Sequence, residues 1–146
     1  MAPIRHFKKI APEEISEALK WFERQQLSTQ WYLSRDEQLA LLGNIEPHLY
    51  QCWLAEIARG QIPALPNEVI TRLEILLGAK KSLDIVAPDN RPDLAISWFN
   101  TPNNNPIFQG KSIKHYLLDN NNLDAFRSLE AYLVDAVVGL MSGVYI

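Results

Sequence analysis

The sequence predicts an all-α protein, and three features carry that expectation. Apolar residues recur at three- and four-residue steps through most of the chain, the spacing that lays them along one face of an α-helix. Glycines and prolines fall between those runs, where helix ends place them. No segment alternates apolar and polar residues between hairpin signals, so no sheet is expected.

The first expected helix follows Pro12, with Glu13 and Glu14 in a first turn where acids suit the helix dipole and Ile15, Ala18, Leu19 and Phe22 forming its apolar stripe. Ser34 with Glu37 three residues on is a capping box, followed by Leu39, Ala40 and Leu42 and closed by Gly43. Pro47 suits the first turn of the next helix, which carries Leu49, Cys52, Trp53, Leu54 and Ile57 and stops at Gly60. The connector 61–66 holds two prolines, and Asn67 is placed to cap a helix carrying Val69, Ile70, Leu73, Leu76 and Leu77 up to Gly78. A separate short helical segment is expected through Leu83, Ile85 and Val86.

Composition shifts at 87–92, where two prolines flank Asp89, Asn90 and Arg91, and the domain boundary is placed there: 1–86 and 87–146. The second part is expected to hold a helix ending at Trp98 and Phe99, then a polar loop. Beyond the loop come a helix capped by Ser112, an asparagine turn at 120–122 and a long final helix from about Leu123.

Composition narrows the function. A chain of 146 residues, 47% apolar and 21% charged, has an ordinary globular make-up. Its net charge of −3 excludes a broadly basic nucleic-acid or anionic-membrane binder. One cysteine, Cys52, gives no internal disulfide and suits a reducing cytoplasm. The basic N-terminal residues are not followed by an apolar run, so no signal peptide is expected. The longest apolar stretch, 131–146, contains Asp135 and falls short of the ~20 residues a membrane span needs.

No catalytic constellation is visible: there is no phosphate-binding glycine loop and no nucleophile elbow. His6, His48 and His115 lie far apart, so no metal site or cofactor is expected. Asp119, Asp124 and Asp135 read as turn, cap and surface residues, and Trp21, Trp31 and Trp53 as packing residues. An enzyme is therefore not expected.

Residues 33–43 resemble the first half of an Xre-type helix-turn-helix, whose second helix reads the DNA major groove. Arg35, His48, Tyr50, Gln51, Lys80 and Lys81 are the candidate DNA contacts. The motif is degenerate: Trp53 comes one position late. Between 33 and 60 the bases Arg35 and Arg59 face the acids Asp36, Glu37, Glu46 and Glu56, a balance of 2 − 4 = −2 where phosphates would approach.

The most distinctive stretch runs from Trp98 and Phe99 through Asn100, Pro102, Asn103, Ile107 and Phe108 to Gly110 and Ser112. Asparagines can hydrogen-bond the loop backbone, prolines restrict it, and Ile107 and Phe108 are expected to tuck inward. This run resembles the toxin-binding domain of the Xre/MbcA/ParS antitoxin family in its tryptophan helix end, Pro-Asn pair, apolar residue, glycine and Ser-capped helix start. Gln109 stands where that family usually has a first glycine, and Ile113 where it usually has proline. The end of the chain, Gly143, Val144, Tyr145 and Ile146, is similar to the family's short Gly-Val-aromatic ending.

The resemblance implies an antitoxin, usually a homodimer, that blocks the active site of a cognate toxin, most often a RES-domain enzyme that degrades NAD. Many members also bind operator DNA and repress their own operon. Trp98, Phe99, Asn100, Pro102, Asn103, Phe108, Lys111, Ser112, Val144, Tyr145 and Ile146 are then the candidate toxin-binding residues. The final helix supports an interface independently. Leu123, Phe126, Leu129, Leu133, Val137 and Leu140 form a stripe widened by Val134, Val138 and Met141, more apolar surface than a small domain needs to bury. The competing reading is a transcription regulator whose C-terminal region only dimerises.

Overall fold

The computed structural model describes residues 6–141. The described residues form seven α-helices and three short 3₁₀ turns, with no strand among them. No helix among them is long and apolar enough to cross a membrane.

Two compact units divide the chain, residues 9–74 and residues 6–8 with 75–141. In the first, α1 (Ile15–Glu23) buries the four residues of its stripe, Ile15, Ala18, Leu19 and Phe22. Helix α2 (Arg35–Leu41) opens on a complete capping box: the Glu37 N–H donates to Ser34 Oγ at 3.0 Å, and the Ser34 N–H donates to the Glu37 carboxylate at 2.9 Å. Gly43 and Asn44, both at positive φ, turn the chain. Helix α3 (Pro47–Ala58) begins with Pro47 in its first turn, and the Glu46 carboxylate accepts the N–H groups of His48 and Leu49. Arg72, almost fully buried, donates to the Leu41 carbonyl at 3.2 Å, satisfying one of the orphan acceptors at the end of α2.

Helix α4 (Asn67–Val86) corrects the expectation of two helices broken at Gly78. Gly78 lies inside it, and a side chain there would collide with the Phe7 ring. The glycine is a packing site for Phe7, and its helix cost of roughly 1 kcal/mol is tolerated within a 20-residue helix. Asn67 is the first helical residue rather than a cap outside the helix, and the Pro66 carbonyl accepts the Ile70 N–H. The division between the compact units falls within α4, at Glu74 and Ile75.

In the second unit α5 (Pro92–Ser97), α6 (Ile113–Asp119) and α7 (Leu123–Met141) follow in order. Asn122 Oδ1 accepts the Ala125 N–H at 2.9 Å, which starts α7 from the asparagine turn. Glu130 of α7 is only 2% exposed yet fully engaged. It accepts from the Phe7 N–H at 2.7 Å and from Arg127 at 2.8 Å, and pairs with His6 at 3.1 Å. Burial pushes its carboxyl up, but these hydrogen bonds outweigh burial and hold it below the usual range.

Candidate functional site

The loop between α5 and α6 is tied down by its own polar groups. At its start the Asn100 N–H and Thr101 Oγ1 both donate to the Ser97 carbonyl, at 2.9 and 2.8 Å. Two asparagine turns follow: Asn103 Oδ1 accepts the Asn105 N–H at 2.7 Å, and Asn105 Oδ1 accepts the Ile107 N–H at 3.1 Å. The loop ends are joined by Asn103 N–H to the Lys111 carbonyl and Lys114 N–H to the Phe99 carbonyl, each 3.0 Å. Gln109 and Gly110 both adopt positive φ, 56° and 80°. The backbone therefore needs a left-handed residue where Gln109 stands, a conformation that glycine enters without steric cost.

Phe108 locks the loop from beneath. It is fully buried, with the Tyr116 and Tyr132 rings set edge-on to it at 5.4 and 5.2 Å. Ser112 is also buried, and its Oγ accepts the His115 N–H as the cap of α6. Ile107, expected to tuck inward, is 36% exposed.

Beside this loop lies an open groove of about 750 Å³. Trp98, Thr101, Pro102 and Asn103–105 line it from the loop. Leu83 and Val86 of α4, Ile113 of α6 and Tyr132, Leu133, Asp135, Ala136 and Leu140 of α7 line it from the helices. Helix α7 exposes Val138 and Leu140 while burying Phe126, Leu129, Leu133 and Val134.

The structure thus divides the predicted loop residues by task. Trp98, Pro102 and Asn103 line the groove. Phe99, Phe108 and Ser112 are buried, and this corrects their assignment as contact residues: they hold the loop. Asn100 is half-buried, and Lys111 is half-buried and paired with Asp119 at 2.7 Å. Val144, Tyr145 and Ile146 lie outside the described residues. Val86, Tyr132 and Ala136 were missed as groove residues. The helical spacing of Tyr132 and Ala136 with Leu133 and Leu140 was the available signal.

The candidate DNA contacts fare differently. Tyr50 is fully buried, its hydroxyl donating to Glu23 at 2.9 Å, which corrects its reading as a base contact. Arg35 donates to both Glu23 oxygens, at 2.6 and 2.9 Å, and to Gln38, and stacks 4.7 Å from the Tyr50 ring centre. Partial burial raises the Glu23 carboxyl, but the bonds from Arg35 and Tyr50 overcome it and leave the group below its usual range. Burial and the adjacent Glu23 push the Tyr50 hydroxyl strongly upward. His48 and Gln51 are exposed on α3. Lys80 pairs with Asp84 at 2.6 Å and Lys81 is exposed, both in the other compact unit.

Among the described residues no group of three or more metal-ligating side chains gathers. No protein-family model, curated protein or solved structure matches the chain.

Proposed function

We propose that this chain is the antitoxin of a toxin–antitoxin pair, acting by steric occlusion of a cognate toxin through the groove beside the loop 98–112. The observation that carries the reading is the combination of a loop tied by several internal backbone and asparagine hydrogen bonds with a partly apolar groove and an exposed apolar end of α7. A loop so fixed keeps its groove-facing side chains ordered before a partner arrives, which lowers the entropic cost of binding. The resemblance to Xre/MbcA/ParS antitoxins names the partner class, a RES-domain toxin that degrades NAD, and implies a homodimer. Inhibition of this kind needs no proton transfer and no cofactor in this chain.

The test is capture of a partner by the tagged full-length chain from its source lysate, followed by measurement of NAD loss by the partner alone and in the complex. A stoichiometric protein whose NAD consumption stops when this chain is added supports the reading. Retention of a specific DNA fragment with no protein partner overturns it. That second result would favour the regulator, for which exposed His48 and Gln51 on α3 are the supporting residues. Against the regulator stand the acidic balance of 33–60 and the internal use of Arg35 and Tyr50.

A further inference from the structure

Helix α3 carries His48 and Cys52 four residues apart, so their side chains lie one above the other on the same face. Cys52 Sγ sits 3.7 Å from His48 Nε2. A tetrahedral zinc-class ion holds a thiolate sulfur at about 2.3 Å and an imidazole nitrogen at about 2.0 Å, which puts the two donors about 3.5 Å apart. The pair therefore already stands within a few tenths of an ångström of the bite such an ion requires. His48 is exposed and Cys52 half-buried, so the face is open to solvent.

Two donors do not complete a structural site. Among the described residues no third His, Cys, Asp or Glu joins them, and Glu56, one turn further along α3, does not close the set. A second chain is one source of the remaining donors. The same face exposes Ala55, short enough for a second helix to approach at a usual packing distance of about 8–10 Å, and Leu49, 41% exposed, flanks it with apolar surface to bury. We propose that His48 and Cys52 form half of a Cys₂His₂ site for a zinc-class divalent cation, completed by the same pair from a second copy of the chain. Cys52 binds as the thiolate, its proton passing to solvent, so affinity rises with pH. The site is independent of the groove and of the antitoxin reading.

The test is a cobalt(II) titration of the full-length protein under reducing conditions, with sedimentation run in parallel. The expected result is a near-ultraviolet thiolate-to-cobalt band that saturates at one cobalt per two chains. A chelator should reverse it. Cys52→Ser should abolish the band, and His48→Ala should weaken binding at least about tenfold; the melting curve of the exposed His48→Ala should be unchanged, and that of the half-buried, near-isosteric Cys52→Ser should shift little. Absence of the band in the wild type overturns the proposal, as does unchanged affinity in His48→Ala, which would mean a thiol acting alone. Saturation at one cobalt per chain overturns the shared site.

Discussion

Helix α3 and the loop 98–112 use the same kinds of residue in opposite ways. Around α3 the polar groups that a DNA reader would present are spent inside the molecule: Arg35 and Tyr50 converge on Glu23, and Gln38 donates to the Phe22 carbonyl at 2.9 Å. In the loop, Asn103, Asn105 and the Ser112 cap spend side-chain bonds on backbone, which fixes the loop and leaves Trp98 and Pro102 to line a groove. A polar residue becomes a binding group only when the surrounding fold has no prior demand on it. The largest effect that tests this contrast comes from beneath the loop. Phe108→Ala removes a fully buried ring between two tyrosines and should cost about 3–5 kcal/mol, read as a fall in denaturant midpoint. A loss under 1 kcal/mol would mean that the loop is not held from below.

The matching cut on the other side is Glu23→Ala. It leaves the buried Tyr50 hydroxyl and the Arg35 guanidinium without their shared acceptor, and should cost about 1–3 kcal/mol. The same carboxylate gives a pH signature together with Glu130. Both pKa values are depressed on folding, so their stabilisation is full above the ordinary carboxylate range and is lost as pH falls through the folded values. Melting temperature should therefore drop on acidification below about pH 4.5, and Glu23→Gln combined with Glu130→Gln should flatten that limb.

Smaller in stability but decisive for function are Pro102→Ser and Leu140→Ser. Both residues are exposed at the groove, so each change should move stability by no more than roughly 0.5 kcal/mol. Partner affinity should fall about tenfold or more, some 1.4 kcal/mol, by titration calorimetry against the captured partner. Unchanged affinity in both variants would move the interface away from the groove.

Much of this was legible in the sequence because helix signals are local. The Ser34–Glu37 capping box, Pro47 in the first turn of α3, the four-residue stripe of α1 and the Ser112 cap depend on residues within one or two turns of each other. What escaped was set by residues far apart in the chain. Gly78 read as a stop because Phe7, which fills its place, is distant in sequence. Tyr50 reads as a base contact because Glu23 lies 27 positions away, and Phe108 reads as a contact because Tyr132, which packs on it, is distant in sequence. Side chains facing partners and side chains facing the interior have the same composition, and only tertiary pairing separates them.

The last effect bears on the loop alone. Gln109 holds φ 56° and ψ 33°, the left-handed region that a side chain with a Cβ enters at a cost, and Gly110 follows at φ 80°. Its neighbours enforce this conformation: the Gln109 N–H bonds the Pro106 carbonyl at 3.2 Å, and the Lys111 N–H returns to the Phe108 carbonyl at 2.9 Å. Gln109→Gly relieves the strain but frees the unfolded chain, so the net gain should be only about 0.5–1 kcal/mol. Gln109→Val, branched at Cβ, should destabilise instead. The sign difference between the two, read from paired melts, isolates backbone demand from any contact the glutamine makes. If both variants lost stability, the glutamine side chain itself would be holding the turn. The exposed Gln109 would then belong with Arg35 and Tyr50, as a polar group spent within the fold.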